Sequence, residues 1–496
     1  MEKKSPKYNI DLSDRSLLCM DFRNDSPYVV SGGADHGLKV VDIKTGTVTK
    51  NLYTKLYGHS EWVTCCIFFD DGRILSGGMD GRCCLWDNSQ VKCVELGNGE
   101  SRGIGYAASM MTVPTGYSIS DINLLKKSDT EFQVAVGDYE GKIKIWSIPN
   151  NKETSINYRR TATSTAKKNI RHSLICELEE KQGPVVSLQS VPIRFNRKNQ
   201  PNPENSLYIA AGYRRGSIII WDWINNRQHM IMSNAHNGAC QCLKFFNIHG
   251  KEGIKYDTET GEVIQDLASI FLISSARMDG TIKIWAIDGG KQTSNQPIRQ
   301  KAVFILEKIH DLGISGIEVY PNGKKIITSG IDGKINVISY PVINTKIRKI
   351  ISKPNILYQI DWHQNVVTSF YIMPQGFLIT GCLDGSIAVH YLGESEEHDN
   401  ERREQFLVDV ICYPNQIKDI VNGINVLKMH NYKVGTTKMN VLVAASELGN
   451  LVLWDCNEYI NKWNIKKQEF SKRNNISARI IESRSRTQER ENYLVQ

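Results

Sequence analysis

Residues 58–87 read GHSEWVTCCIFFDDGRILSGGMDGRCCLWD. The segment opens on Gly58-His59 and closes on Trp86-Asp87. Two apolar runs, Val63 to Phe69 and Arg73 to Leu75, are split by Asp70, Asp71 and Gly72. A second tight turn, Met79-Asp80-Gly81, leads into Cys83 to Trp86. Short apolar runs bounded by Asp/Gly turns predict antiparallel strands joined by hairpins.

The second hairpin recurs along the whole chain. Copies lie at 31–42, 76–87, 135–147, 210–222, 274–286, 328–339, 380–391 and 445–455 (the last led by Ala444). Each has a strand ending in small residues, a turn, then β-branched residues alternating with others. In Lys142 to Trp146 the period of two puts Ile143 and Ile145 on one sheet face. The position of Trp86 is filled by Val41, Trp146, Trp221, Trp285, Ile338, His390 and Trp454 in the other copies. Successive intervals are 45, 60, 75, 64, 53, 52 and 64 residues.

This arrangement resembles the WD40 repeat, whose signature is a Gly-His start, a Trp-Asp end and four strands per propeller blade. The resemblance implies an all-β WD40 β-propeller over residues 1–460, of eight four-stranded blades, with seven as the alternative. A bare repeat takes about 40–45 residues, so every interval but the first carries insertions, which belong in solvated loops. The family's usual ring closure implies that Lys7 to Leu12 completes the last blade; a frayed terminus is the other reading. Three Trp-Asp sites, at 86, 221 and 454, lack the Arg two places later that marks many ubiquitin-ligase receptors of this kind.

The chain has 496 residues, 41% of them hydrophobic and 23% charged, which is ordinary for a globular protein. Its length exceeds what one core usually supports, and repeats that pack on neighbours resolve that. The 12 cysteines include no Cys-x-x-Cys pair, and Cys65, Cys66, Cys83, Cys84, Cys240 and Cys242 fall inside predicted strands. They read as small buried hydrophobes in a reducing compartment, not as metal ligands or disulfides. The N-terminus MEKKSPKYNID has no apolar core of a signal peptide, and no run is long enough for a membrane helix. A cytoplasmic location is expected, with cytoskeletal or ciliary attachment in view and the nucleus open.

The net charge of +8 is unevenly spread. Segment 149–171 has six basic residues against one acid, and the tail 461–496 has nine against four. Arg159, Arg160, Lys167, Lys168, Lys466, Lys467, Lys472 and Arg473 are candidates for contact with an acidic protein, or with nucleic acid as the weaker alternative. The tail is expected to be disordered or ordered by a partner, since Ile476, Ile480 and Ile481 are too sparse for a lone helix. Residues 97–116 are Gly-rich with the wrong spacing for a dinucleotide fingerprint and read as an inter-blade loop. Residues 195–205 and 288–300 read as polar loops, 247–266 as an inserted hairpin, and 393–405 as an acidic block.

His59, Ser76, Asp80 and Trp86 invite an acyl-transfer reading. The same types recur as His236, Ser275, Asp279 and Trp285, and in part as His310, Thr328 and Asp332 and as His363, Thr380 and Asp384. A catalytic site is rarely built several times in one chain. The resemblance implies hydrogen-bonded tetrads that fix each blade. Blades 1, 3, 4 and 8 show no assignable tetrad His. The sequence therefore predicts no enzyme, cofactor or metal, and makes a small-molecule ligand an unfavoured partner. It predicts a scaffold for protein–protein interaction in a multiprotein complex. The alternative is a nucleic-acid-associated propeller of an RNA-processing, ribosome-assembly or chromatin complex.

Overall fold

The computed structural model describes residues 5–52, 58–86, 107–112, 117–150, 173–191, 194–195, 201–202, 208–247, 270–276, 278–287, 296–320, 324–344, 349–392, 407–412 and 423–469. Eight blades of four antiparallel strands follow one another along the chain, the fourth extended by a fifth strand. In blade 1 strands a to d are Leu17–Phe22, Tyr28–Gly33, Leu38–Asp42 and Thr47–Leu52. Blade 2 has Val63–Phe68, Ile74–Gly78, Arg82–Trp86 and Ala107–Thr112. The a strands of blades 3 to 8 begin at Ile119, Val185, Cys242, Ile314, Val367 and Ile424.

Blade 8 takes its fourth strand from the other end of the chain. Tyr8–Asp11 pairs antiparallel with Asn450–Asp455, Tyr8 opposite Leu453 and Asp11 opposite Asn450. The expected closure is present. It gives the last blade its fourth, outermost strand and satisfies the ladder of Asn450–Asp455. Side chains then tie blade 8 to blade 1: Asn425 Nδ2 donates to the Leu17 carbonyl at 2.9 Å and Lys428 Nζ to the Met20 carbonyl at 2.8 Å.

Eight buried clusters fill the junctions, and each joins two adjacent blades. Val30, Leu38 and Val40 of blade 1 meet Ile74, Cys84 and Trp86 of blade 2. Leu17, Val29 and Val41 of blade 1 meet Val443, Leu451 and Leu453 of blade 8. The corresponding clusters follow around the ring. Eight junctions settle the blade number at eight instead of seven. The register also explains the Trp position: Trp86, Trp221, Trp285 and Trp454 sit opposite Ile74, Ile209, Leu272 and Leu442 on strand b. Each of these indoles is 4% exposed or less, and each lies in a junction cluster.

The inner a strands are cross-linked by polar groups. Asp21 accepts from the Phe68 amide at 2.8 Å and Asp121 from the Leu188 amide at 2.7 Å. Lys244 pairs with Glu318 across blades 5 and 6 at 2.9 Å. Backbone geometry closes the joints as well. Gly216, at φ 85°, lies so near the next blade that a Cβ would sit 1.9 Å from the His236 carbonyl oxygen.

Four expectations change. Ala107–Thr112 lies within the stretch read as a Gly-rich loop, yet it is strand d of blade 2, paired with Arg82–Trp86. Its Ala/Ser/Met composition carries no strand signal; the partner strand imposes the conformation. Ile298–Arg299, read as polar linker, adds a fifth, parallel strand to blade 4 beside Met230 and Ile231. The polar loop at 195–205 is a small ribbon in part, Arg194–Phe195 pairing with Pro201–Asn202. The tail does not begin at 461, because 457–469 is a helix packed on blades 7 and 8. Trp463 is fully buried there, its Nε1 donating to Asp409 Oδ2 at 2.6 Å and its ring 5.9 Å from that of Phe377. Burial of one face, not intrinsic propensity, holds this helix. The inserted hairpin at 247–266, the acidic block at 393–405 and the remainder of the tail lie outside the described residues, apart from Asn247, which ends strand a of blade 5.

Trp463→Ala is expected to lower unfolding stability by about 3–5 kcal/mol, as for other buried Trp truncations, measured by urea denaturation. A loss under about 0.5 kcal/mol, the range of surface substitutions, would show the helix to be only loosely attached.

Candidate functional site

The tetrad of blade 2 forms as expected. His59 Nδ1 lies 3.1 Å from Asp80 Oδ1, and Nε2 lies 2.8 Å from Ser76 Oγ. Trp86 Nε1 donates to the same Oγ at 2.9 Å. Asp80 also accepts from the Ser60 and Arg82 amides, at 2.9 and 3.1 Å. The entry loop, the b–c turn and strands b and c are thus fastened through one histidine. Burial alone would raise the Asp80 carboxyl, but the His59 ring and the two amides outweigh it and hold it below its ordinary value.

Blade 5 corrects one residue. His236 Nε2 bonds Ser274 Oγ at 2.8 Å, and Trp285 Nε1 donates to Ser274 Oγ at 2.8 Å, while Nδ1 meets Asp279 Oδ2 at 2.9 Å. The serine is Ser274, not Ser275. In blade 2 the Asp lies four positions after Ser76, but in blade 5 it lies five after Ser274. Counting back four from the Asp lands one residue late, which in a strand is the opposite face.

Blade 6 keeps His310 between Asp332, at 3.0 Å, and Thr328, at 2.9 Å, with Ile338 in the Trp position. Blade 7 differs. His363 bonds Thr380 at 2.7 Å, but its Nδ1 bonds Ser386 Oγ at 2.8 Å, and Asp384 accepts from the Ser386 amide instead. In blade 4 the Trp221 indole donates to the Tyr213 hydroxyl at 3.2 Å, so a tyrosine replaces the histidine network. In blade 3 Asp138 accepts three turn amides, from Glu140, Gly141 and Lys142, at 2.9–3.0 Å.

Chemistry is closed off at these networks. His59 and Ser76 are 2% and 0% exposed, and both ring nitrogens of His59 are engaged within the fold. Among the described residues one group of metal-ligating types converges, His363, Cys382 and Asp384, with donor atoms within 4.8 Å. Both His363 nitrogens are already bonded, and burial pushes the Cys382 thiol up to about 12. The group offers a cation neither a thiolate nor a free imidazole lone pair.

A different feature is available to partners. Strands alternate in direction, so b–c turns and d–a loops share one face of the ring, and a–b and c–d connections share the other. On the first face the amide of the b–c turn donates to the carbonyl just before strand a, blade after blade: Ala34 to Ser16, Met79 to Trp62, Tyr139 to Ser118, Arg214 to Pro184, Ile331 to Gly313, Leu383 to Val366 and Glu447 to Gly423. This face carries exposed Trp62, Met79, Tyr117, Tyr139, Met278, Leu312 and Leu448. Among the described residues the other face carries Ile224 and Val434, and the outer d strands and terminal helix carry Val48, Leu174, Ile175, Ile305, Ile356 and Ile465. Sequence reasoning missed this set, because each residue is a single apolar letter in a turn. Only the shared position across repeats assembles them.

Of the basic candidates, Lys466 and Lys467 are turned inward. Lys466 Nζ donates to the Val408 carbonyl; Lys467 Nζ donates to the Gln375 carbonyl at 3.1 Å and lies 5.2 Å from the centre of the Tyr391 ring. They attach the terminal helix to blade 7 instead of facing a partner. Arg159, Arg160, Lys167, Lys168, Lys472 and Arg473 lie outside the described residues.

Two outcomes are expected. Ser274→Ala, which removes a partner from both His236 and Trp285, destabilises by about 1–3 kcal/mol in urea unfolding, and Ser275→Ala by less; the reverse order would contradict the blade 5 assignment. Burial also lowers His363 to about 4, and burial with His363 nearby lowers His390 to about 3. Unfolded histidine titrates near about 6.5, so the unfolded chain binds more protons at acid pH. Stability is full above about pH 6.5 and falls as pH drops toward about 4. Melting temperature should decline across that window, and His390→Phe should flatten the decline; an unchanged slope would contradict it.

Comparison with known proteins fits this geometry. The family described as "WD domain, G-beta repeat" matches residues 6–42 and 50–87. A THO complex subunit 6 homolog of Danio rerio is 31% identical over 97 residues, 19% of this chain and 29% of that protein. The guanine nucleotide-binding protein subunit beta-1 of Homarus americanus is 29% identical over 104 residues, 21% of this chain and 29% of that protein. The match thus spans under a third of either relative. Among solved structures, Saccharomyces cerevisiae Sqt1 superposes with a TM-score of 0.61 at 12% identity, over 92% of this chain and 99% of that one. Chaetomium thermophilum Sqt1 bound to the N-terminus of the ribosomal protein L10 gives 0.59 at 13% identity, over 91% of this chain and 100% of that one. With its closed ring of eight sheets, the chain is an eight-bladed β-propeller whose first two repeats match the WD40 family.

Proposed function

We propose that this protein is a non-enzymatic scaffold whose b–c face holds a partner protein during assembly of a multiprotein complex. One observation carries the reading: among the described residues, Trp62, Met79, Tyr117, Tyr139, Met278, Leu312 and Leu448 are exposed together on the face with the b–c turns, while each Ser/Thr–His network is buried. Aromatic and Met side chains exposed at the rim of a rigid ring are the residue types enriched at protein interfaces. The ring supplies preorganisation, so little conformational entropy is lost on docking.

The setting we favour is a ribonucleoprotein or ribosome-related assembly. The THO subunit and the Sqt1–L10 complex support that direction over a cytoskeletal or ciliary one. The nucleic-acid-associated alternative draws on a separate observation. The net +5 segment at 149–171 connects strands c and d of blade 3, Lys142–Pro149 and Ser173–Glu179, so both its ends are tied to the face opposite the b–c turns. We place the protein in the cytoplasm on the same grounds as its free thiols. No helix among the described residues is long and apolar enough to cross a membrane.

Affinity capture with the tagged full-length chain, read by mass spectrometry, tests the proposal. Protein partners should be recovered from wild type and lost from the triple variant Met79→Asp, Met278→Asp, Leu448→Asp, whose melting temperature should be unchanged. Recovery of the same partners with the triple variant would contradict docking on this face.

A further inference from the structure

We propose that the sector of this face on blades 2 and 3 takes a basic, extended peptide segment of the partner, seating arginine or lysine side chains against Trp62, Tyr117 and Tyr139. The inference rests on the scaffold reading above and names the chemistry of the partner. Two observations carry it, one of shape and one of charge.

The first is a chain of backbone contacts that makes four exposed side chains neighbours. The Met79 amide donates to the Trp62 carbonyl at 2.8 Å. The Met79 carbonyl accepts from Ser118 Oγ at 2.7 Å. The Ser118 carbonyl accepts from the Tyr139 amide at 2.9 Å. Trp62, Met79, Tyr117 and Tyr139 therefore form one patch, 45%, 38%, 47% and 42% exposed. Elsewhere on this face the exposed apolar side chains are aliphatic or thioether, as at Met278, Leu312 and Leu448. Three aromatic rings held by rigid turns provide faces on which a cation rests favourably, and Trp and Tyr are the side chains that most often dominate an interface.

The second is the sign of the surrounding charge. Glu61 is exposed beside Trp62. Lys142, at the blade 3 turn, is shared among Glu140 at 3.0 Å, Glu177 at 3.5 Å and Glu179 at 3.8 Å. Lys144 also lies 3.9 Å from Glu177, and Glu61, Glu140, Glu177 and Glu179 still outnumber Lys142, Lys144 and Arg82, which leaves an excess of negative charge. A chain of net +8 thus presents carboxylates around its aromatic patch. Such a surface attracts a basic segment and repels nucleic-acid phosphates and acidic peptides.

The test is fluorescence anisotropy with the full-length protein and three labelled probes. These are a peptide of about twelve alternating arginine and leucine residues, the same peptide with glutamate for arginine, and an oligouridine RNA of similar length. The arginine–leucine peptide should bind best. Its dissociation constant should rise about tenfold or more in Trp62→Ala/Tyr139→Ala and several-fold in Glu61→Gln/Glu140→Gln, with melting temperatures unchanged. Leu448→Ala, on blade 8, should leave it unaltered. Preference for the glutamate peptide or RNA, or no binding of the arginine peptide, would overturn the proposal. So would arginine-peptide affinity that both double variants leave intact. In each of those cases the scaffold reading still stands if the face variants lose their captured partners; it fails separately if they do not.

Discussion

Four residue pairs, Tyr8–Leu453, Asn9–Val452, Ile10–Leu451 and Asp11–Asn450, hold the two ends of the chain together. Everything else in the molecule depends on that pairing. A blade cannot bury both of its faces alone, and each of the eight clusters needs side chains from two neighbours. An open array of eight blades would leave two such faces in water and a strand edge free to pair with other chains. Closure turns the last interface into one more equivalent joint.

Much of this was legible in the sequence because the hairpin signal is redundant. The b–c turn and the Trp position repeat often enough that Val41, Ile338 and His390 are found by register even where the residue type has changed. Less was legible where a single residue decides. One extra residue in the blade 5 turn moved the tetrad from Ser275 to Ser274. Ala107–Thr112 has no periodicity of its own and is a strand because Arg82–Trp86 offers it a ladder. The terminal helix is marginal by propensity, and Trp463 becomes decisive only when Asp409 and Phe377, more than fifty residues earlier, surround it.

The histidine networks show how similar residue types divide between chemistry and structure. A Ser–His–Asp arrangement acts on substrates only if the serine reaches solvent and an oxyanion site faces it. Here the serine is also bonded by a tryptophan from within the blade, and the set recurs with variation from blade to blade. The variation is informative. Blade 4 satisfies its indole with a tyrosine, and blade 7 relays its histidine through Ser386. Fixing the b–c turn to the entry loop is the shared result, and that junction is what displays Trp62 and Met79. Structure and docking are therefore coupled: buried polar bonds hold rigid the turns whose outer side chains are free to meet a partner.

Native-state hydrogen exchange on the full-length protein addresses ring closure most directly. If the N-terminal strand completes blade 8, the Tyr8–Asp11 amides that donate into the ladder exchange only through large-scale opening, as slowly as those of Val441–Ala445 in the centre of the same sheet. Exchange of Tyr8–Asp11 at the rate of a loose terminus, while Val441–Ala445 stay protected, would contradict a closed ring of eight blades.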